Sequence, residues 1–157
     1  MADQQYDLVI IGSGPGGYVA GIRAGQLGMK VAVVEKDPQV GGTCLLRGCI
    51  PTKALLENAD IWHKIQKAKE WGITVGDAKL DFAAVQTRKQ SVVGANVKGI
   101  EFLFRKNKVE RIAGFAKVVD RNTVDVDGKQ LKTKNIILAM GSVPKDQIGR
   151  ASCRERV

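Results

Sequence analysis

Hydrophobic residues in the first quarter of the chain fall into runs that predict alternating strands and a helix. Residues 6–12 form a short apolar run ending in glycine, which is typical of a strand buried on both faces of a parallel sheet. Residues 13–28 show helical periodicity and close on Gly28, and residues 30–35 form a second apolar strand. This order predicts a βαβ unit with two adjacent, parallel strands.

The hydrophobic period changes further along the chain. A glycine-rich segment leads into a predicted helix over residues 52–71, and a second helix is predicted over residues 81–105, with residues 99–104 packed. From residue 108 the period becomes two, which predicts strands over residues 109–112, 115–119, 123–126 and 131–138. The predicted fold class is α/β, with a parallel sheet and a small antiparallel β-meander.

Composition narrows the class of protein. The 157 residues are enough for one domain, and 44% hydrophobic with 26% charged residues is close to the average for globular proteins. No run approaches the ~18 apolar residues of a membrane span, so we expect a cytoplasmic protein with no membrane partner. The net charge of +9 comes from scattered basic residues that are not interleaved with aromatics, so no nucleic-acid partner is expected.

Residues 12–17 match the pattern G-x-G-x-x-G, which binds the phosphates of dinucleotides. The match follows a predicted buried strand and opens a predicted helix, as this chemistry requires. Gly12 allows a tight turn, Gly14 lets a pyrophosphate approach the backbone, and Gly17 lets helix and strand pack closely. The first domain is therefore predicted to be Rossmann-like.

Glu35 ends the second predicted strand, 23 positions after Gly12. A carboxylate at about this offset binds ribose hydroxyls and repels a 2′-phosphate. The alternative interpretation is a simple glycine turn followed by a surface glutamate. The pattern favours a dinucleotide with an adenosine half.

Cys44 and Cys49 form a close pair in a chain that otherwise reads as cytoplasmic, where disulfides are usually catalytic or redox-sensing. Two buried reduced cysteines are the alternative. No metal is expected, because His63 is the only histidine and no second cysteine pair completes a ligand set. An offset of five places the two thiols on different faces of an ideal helix, but Gly48 and Pro51 allow a distorted turn.

The segment Gly-Gly-Thr-Cys-Leu-Leu-Arg-Gly-Cys-Ile-Pro-Thr-Lys-Ala-Leu-Leu, residues 41–56, resembles the active-site segment of the flavin-dependent pyridine nucleotide–disulfide oxidoreductases. The resemblance extends over residues 6–144. Residues 50–55 and 98–108 are most similar to the members that oxidise dihydrolipoyl groups. Another flavin disulfide reductase of the family, or a non-catalytic FAD-binding module, are the alternatives.

The resemblance implies roles for individual residues. Cys44 would exchange with the substrate, Cys49 would face the flavin as a thiolate, and electrons would pass from dihydrolipoyl groups through the disulfide and FAD to NAD⁺. The implied partners are the dihydrolipoyl domains of 2-oxoacid dehydrogenase complexes and a second copy of the full-length chain. The implied FAD-binding residues are Gly12, Ser13, Gly14, Pro15, Gly16, Gly17, Glu35, Lys36, Gly42, Thr43, Cys44, Lys53, Gly114, Ala139, Gly141 and Ser142.

Two positions depart from the family pattern, and the chain is short for the family. Leu46 stands where the family usually has asparagine, and Met140 stands where it usually has threonine. We expect residues 1–147 to be the amino-terminal part of an FAD-binding domain, inactive alone without the NAD-binding and dimerisation domains. Residues 148–157 resemble the translation of a sequencing adapter and are expected to be a non-native tail.

Overall fold

The computed structural model describes residues 5–143, and the expected non-native tail lies outside them. The described residues form six strands, four α-helices and a short 3₁₀ helix at Ala68–Trp71. In chain order they are β1 (Gln5–Ile11), α1 (Pro15–Gln26), β2 (Val31–Glu35), α2 (Gly42–Leu46), α3 (Cys49–Gln66), α4 (Phe82–Lys106), β3 (Glu110–Ala113), β4 (Ala116–Asp120), β5 (Thr123–Val126) and β6 (Lys129–Leu138).

The predicted βαβ unit is confirmed. β1 and β2 are adjacent and parallel, with Leu8 opposite Val31 and Ile11 opposite Val34. Helix α1 connects them, and it begins at Pro15, where a missing N–H leaves no intrahelical bond unmade. All five residues of β2 are buried, as the uninterrupted apolar run requires of a strand covered on both faces.

The four carboxy-terminal strands divide between two roles. All six strands form one sheet in the order β3-β2-β1-β6-β5-β4. β3 pairs parallel with β2, so it belongs to the parallel part of the sheet and not to the meander. β4, β5 and β6 form the antiparallel meander, and β6 also pairs parallel with β1. The spacing of hydrophobic residues along β6 does not by itself show that this strand pairs with β5 on one side and with β1 on the other.

The core lies on both faces of the sheet. On one face, Ile10 and Val33 are fully buried in a cluster with residues of α1 and α4, among them Ala24, Val97 and Phe104. A second cluster packs the parallel strands against the antiparallel part, through the buried residues Tyr6, Val9, Ile11, Ala32, Val34, Val124, Val126 and Leu131. The carboxyl ends of β1 and β2 are thereby held rigidly, which matters because the site lies there.

The long helices differ in part from prediction. α3 begins at Cys49 and buries Ala54 alone, while Trp62 is half-buried and His63 exposed. In α4, Ile100 and Phe104 are buried as predicted, but Phe102 is exposed, so the packing expected of the whole segment 99–104 is wrong. A helix packs through one stripe, and residues off that stripe face outward. Within residues 5–143 no helix is both long and apolar enough to cross a membrane.

Candidate functional site

The turn between β1 and α1 is held by close backbone contacts. The Gly12 N–H donates to the Val34 carbonyl at 2.8 Å, and both Gly17 and Tyr18 donate to the Gly14 carbonyl. A Cβ at Gly17 would overlap the carbonyl oxygen of Gly12. The first turn of α1 therefore packs directly on the end of β1, which gives Gly17 the structural role predicted for it.

The amino terminus of α1 is open toward a neighbouring backbone segment. Gly14, the residue before α1, has open space around its missing side chain, the nearest atom to a Cβ there being Gly42 Cα at 3.9 Å. Gly42 has a φ of 62°, and a Cβ on it would lie 2.6 Å from Gly14 Cα. Two helix amino termini, those of the twelve-residue α1 and of the short α2, therefore lie beside each other, and no side chain makes a capping hydrogen bond to either.

Glu35 is buried at the end of β2 and tied to the same turn. Its Oε2 accepts from the Ser13 N–H at 2.9 Å and the Ser13 hydroxyl at 2.6 Å, and its Oε1 accepts from the Asp37 N–H at 2.9 Å. Ser13 is also buried, and its carbonyl accepts from the Gly41 N–H at 3.0 Å. A carboxylate has about four acceptor sites, so the three bonds leave one for a ligand hydroxyl.

The carboxyl ends of four strands converge here. Gly114, which follows β3, donates its N–H to the Glu35 carbonyl at 3.0 Å, and Ala139, which follows β6, donates to the Ile11 carbonyl at 2.8 Å. The crevice outside the carboxyl ends of parallel strands is where open α/β sheets bind ligands. Segments far apart in the chain therefore surround a single position at the edge of the sheet.

A groove of about 220 Å³ runs over these strand ends. It brings together most of the predicted cofactor-binding residues: Gly12, Ser13, Gly14, Glu35, Lys36, Gly42, Thr43, Gly114, Ala139, Gly141 and Ser142. Its volume is below the ~300–1,000 Å³ of typical ligand pockets, so the described residues enclose only part of a dinucleotide. A larger depression of about 590 Å³ on the antiparallel strands contains none of the predicted site residues.

The two predicted cysteines are joined as a disulfide. Cys44 lies in α2 and Cys49 is the first residue of α3, with their Cα atoms 4.7 Å apart. The chain leaves helical geometry at Arg47 and Gly48, and this break overcomes the mismatch that a continuous helix would impose. Thr43 and Arg47, which lie on either side of Cys44 in the chain, line the groove, whereas neither cysteine does.

Several predicted residues stand outside the groove lining. Pro15, Gly16 and Gly17 lie just beyond it in the first turn of α1. Lys53 is exposed one turn into α3. Cys44 is half-buried, whereas Cys49 is exposed. The disulfide and Lys53 therefore lie at the amino-terminal end of α3, outside the groove lining.

Sequence reasoning missed seven groove residues: Ile11, Val34, Asp37, Arg47, Phe115, Ala116 and Val143. Met140, noted as a departure from the family pattern, also lines the groove. Arg47 and Asp37 form an ion pair with Nη2 and Oδ2 2.6 Å apart. Arg47 stands between the two cysteines and Asp37 stands two residues after Glu35, so opposite charges beside two predicted site residues were the available signal. Phe115 follows Gly114 and Met140 precedes Gly141, both at strand ends. Neither residue carries a charge that could have marked it as part of the site.

Comparison with known proteins agrees with this geometry. The family described as pyridine nucleotide-disulphide oxidoreductase matches residues 6–152. A dihydrolipoyl dehydrogenase of Cupriavidus necator is 47% identical over 152 residues, covering 88% of this chain and 32% of that protein. A mitochondrial dihydrolipoyl dehydrogenase of Dictyostelium discoideum is 50% identical, covering 88% and 30%, and a dihydrolipoyl dehydrogenase of Acholeplasma laidlawii is 45% identical, covering 88% and 41%.

The chain therefore spans about a third of the length of the curated relatives it matches. The family match, in contrast, covers nearly all of the chain, including the groove and the disulfide. This chain belongs to the pyridine nucleotide–disulphide oxidoreductase family.

Proposed function

We propose that this chain is the FAD-binding, disulfide-carrying part of a dihydrolipoyl dehydrogenase. In the whole protein, dihydrolipoyl groups would be oxidised through the Cys44–Cys49 disulfide and FAD, with NAD⁺ as the final acceptor. The proposal assigns residues 1–147 to the FAD-binding domain. It is supported by the names of the relatives and, in the structure, by one juxtaposition: the disulfide lies within residues 42–49, and three residues of that segment, Gly42, Thr43 and Arg47, line the groove at the strand ends.

The groove residues fit FAD by their chemistry. The amino terminus of α1 offers N–H groups and a positive helix end to the two phosphates. Gly14 leaves room for the phosphates to approach the backbone, and Glu35 keeps one acceptor position for a ribose hydroxyl. Lys36, Thr43, Gly114 and residues 139–142 would complete the walls. FAD supplies two-electron chemistry, accepting electrons from thiols and passing them on to NAD⁺.

The disulfide performs the thiol exchange. A substrate thiolate attacks Sγ of Cys44, forming a mixed disulfide and releasing the thiolate of Cys49. The second substrate thiolate then attacks the substrate sulfur in that mixed disulfide, which closes the substrate disulfide and releases the Cys44 thiolate. Two electrons thus pass from substrate to protein, and the protons lost when the substrate thiols ionise are balanced when the two protein thiolates are protonated. Cys49 suits the leaving role, because the first turn of a helix stabilises a thiolate.

Partners follow from the same proposal. Dihydrolipoyl groups are carried on the dihydrolipoyl domains of 2-oxoacid dehydrogenase complexes, so these domains are the proposed protein substrates, and the full-length protein is proposed to be a homodimer. A reactive disulfide of this kind suits the cytoplasm, where structural disulfides are rare and catalytic ones are the usual exception. The cytoplasm is therefore the proposed location.

Thiol release by dihydrolipoamide tests the proposal without the domains that the longer relatives have. The oxidised chain, carrying Cys153→Ser to leave two cysteines, is treated with dihydrolipoamide and alkylated. We expect two new thiols per chain. In the Cys49→Ser variant, the Cys44 thiolate should instead attack oxidised lipoamide, forming a mixed disulfide on Cys44 and releasing one lipoamide thiolate. Glutathione serves as the competing reductant. Equal reaction with dihydrolipoamide and with glutathione at matched thiolate concentration would contradict the proposed specificity. A mixed disulfide trapped on Cys49 in the Cys44→Ser variant, with none on Cys44 in the Cys49→Ser variant, would contradict the proposed roles.

A further inference from the structure

The Asp37–Arg47 ion pair connects two parts of the site, the segment after β2 and the turn that carries the cysteines. Arg47 directly follows α2 and lies between the two cysteines, inside the ring closed by the disulfide. Its Nη2 is 2.6 Å from Asp37 Oδ2, and both residues line the groove. The pair therefore bridges the segment after β2 and the turn that carries the cysteines.

Asp37 is itself held firmly from two sides. Its N–H donates to Glu35 Oε1 at 2.9 Å, so it is bound to the carboxylate proposed to accept the ribose. Arg111 donates from Nη2 to the Asp37 carbonyl at 3.5 Å and to the Pro38 carbonyl at 2.5 Å. Arg111 Nη1 is in turn 3.5 Å from Glu101 Oε1 on α4. The Asp37 backbone is thus tied to β3 through Arg111 and, through Glu101, to α4, and its carboxylate is the partner of Arg47.

We propose that Asp37 and Arg47 are positioning residues that link occupancy of the adenosine end of the groove to the state of the Cys44–Cys49 disulfide. The inference rests on the proposed function, since it takes the groove to bind an adenine nucleotide. Reduction opens the ring that contains Arg47, and the ion pair then holds this turn to the groove together with the core packing of Leu45. A nucleotide that contacts Glu35 and Asp37 in this preformed arrangement favours the turn geometry in which the two cysteines meet.

The linkage is reciprocal and modest in size. If a nucleotide favours the disulfide by some factor, the disulfide favours the nucleotide by the same factor. Arg47 is 62% exposed and Asp37 24%, and ion pairs of this exposure couple two groups weakly. We therefore expect a shift of about two- to fivefold.

The experiment uses ADP, which carries the adenosine and phosphates of FAD but no flavin ring to contact the sulfurs. The 157-residue chain with Cys153→Ser is equilibrated in glutathione buffers, where two glutathione thiols reduce the disulfide and leave as one oxidised glutathione. The reduced fraction is measured by alkylation with and without saturating ADP. ADP affinity of the oxidised and reduced chains is measured separately.

Four variants distinguish the effect of losing the Asp37–Arg47 ion pair from the effect of changing any surface charge. Asp37→Asn and Arg47→Gln each remove the pair, and Arg47→Lys keeps a cation within reach of Asp37. Asp77→Asn is the matched control, because it breaks the exposed Asp77–Lys79 pair, whose atoms are 3.7 Å apart and whose residues lie outside the groove lining.

We expect ADP to favour the disulfide by about two- to fivefold in the parent chain and in Asp77→Asn, with the same factor in ADP affinity. Asp37→Asn and Arg47→Gln abolish the shift when it is measured at an ADP concentration that saturates each variant, and Arg47→Lys recovers part of it. ADP binding with no redox shift in the parent chain, or a full shift in Asp37→Asn, overturns the linkage and leaves the proposed function standing. A chain that binds neither ADP nor FAD overturns the proposed function and the linkage together.

Discussion

Glu35 and Ser13 are bound to each other twice, because Oε2 of Glu35 accepts from the Ser13 N–H at 2.9 Å and from the Ser13 hydroxyl at 2.6 Å. The two residues are 22 positions apart, at the ends of the parallel strands β2 and β1. Both are buried. This pair fixes the proposed ribose acceptor against the phosphate turn, so the site is preformed by the fold.

Ser13→Ala should therefore weaken both the fold and nucleotide binding. The variant loses a buried, charge-assisted hydrogen bond, and we expect the free energy of unfolding to fall by ~1.5–3 kcal/mol. Urea unfolding measures the loss, and fluorescence titration measures FAD affinity. Ser91→Ala is the control, because Ser91 is exposed on α4. Equal stability of the two variants would show that the hydroxyl does not hold Glu35.

Gly17→Ala should disrupt the phosphate turn, because the added methyl overlaps the Gly12 carbonyl. We expect FAD binding to be lost and the free energy of unfolding to fall by ~2 kcal/mol or more, as for other overpacked positions. Gly99→Ala is the matched control: it lies in α4 with open space around the added methyl.

The same replacement at Gly99 should raise the free energy of unfolding by ~0.5–1 kcal/mol, because alanine favours helix over glycine. Opposite signs at the two glycines are the expected result in urea unfolding. A neutral Gly17→Ala that still binds FAD would contradict the close contact.

Local features of the site were predictable from the sequence. The strand before Gly12, the helix beginning near Pro15 and the carboxylate at Glu35 follow one another within one βαβ unit, so short-range pattern determined them. The spacing of Cys44 and Cys49 indicated a redox role, although a regular helix would have kept the thiols apart.

Long-range placement was not predictable in the same way. Nothing in the period of residues 110–113 says that they pair with β2 and not with β4. The short helix α2 begins at Gly42, which has a φ of 62°. Glycine has a low helix propensity, so the sequence does not predict a helix that begins there. The Asp37–Arg47 pair depends on how two turns meet in space, and charge pattern along the chain does not specify that.

Leu46 should contribute to stability in this chain, although the family pattern has asparagine there. The side chain is half-buried against the helix-side core. We expect Leu46→Asn to lower the free energy of unfolding by ~1–2 kcal/mol, a part of the value for a fully buried leucine. Met140→Thr is the comparison, because Met140 is 66% exposed and its replacement should change stability by less than ~0.5 kcal/mol. Equal, small effects in urea unfolding would show that Leu46 does not pack.

Asp7 should make stability depend on pH at the acid end. A hydrogen bond from Lys134, with Nζ 2.7 Å from Oδ1, and one from the Lys30 N–H lower the pKa of Asp7. Because the folded pKa lies below the unfolded one, the contribution is complete above pH ~3.9 and is lost as pH falls through the folded pKa.

Asp7→Asn and Lys134→Gln should both flatten this acid loss, since each removes the interaction that shifts the titration. Urea midpoints measured from neutral to acid pH check the effect. Parallel pH profiles for the parent chain and both variants would contradict it.

Anaerobic titration of the FAD-loaded chain with dihydrolipoamide, followed by visible absorption, tests most directly whether the sulfur pair and the flavin form one centre. The account predicts that the flavin spectrum changes as the dithiol is added, and that Cys44→Ser and Cys49→Ser each bind FAD without that change. A chain that binds FAD and releases two thiols to dihydrolipoamide, yet leaves the flavin spectrum unaltered, would contradict it.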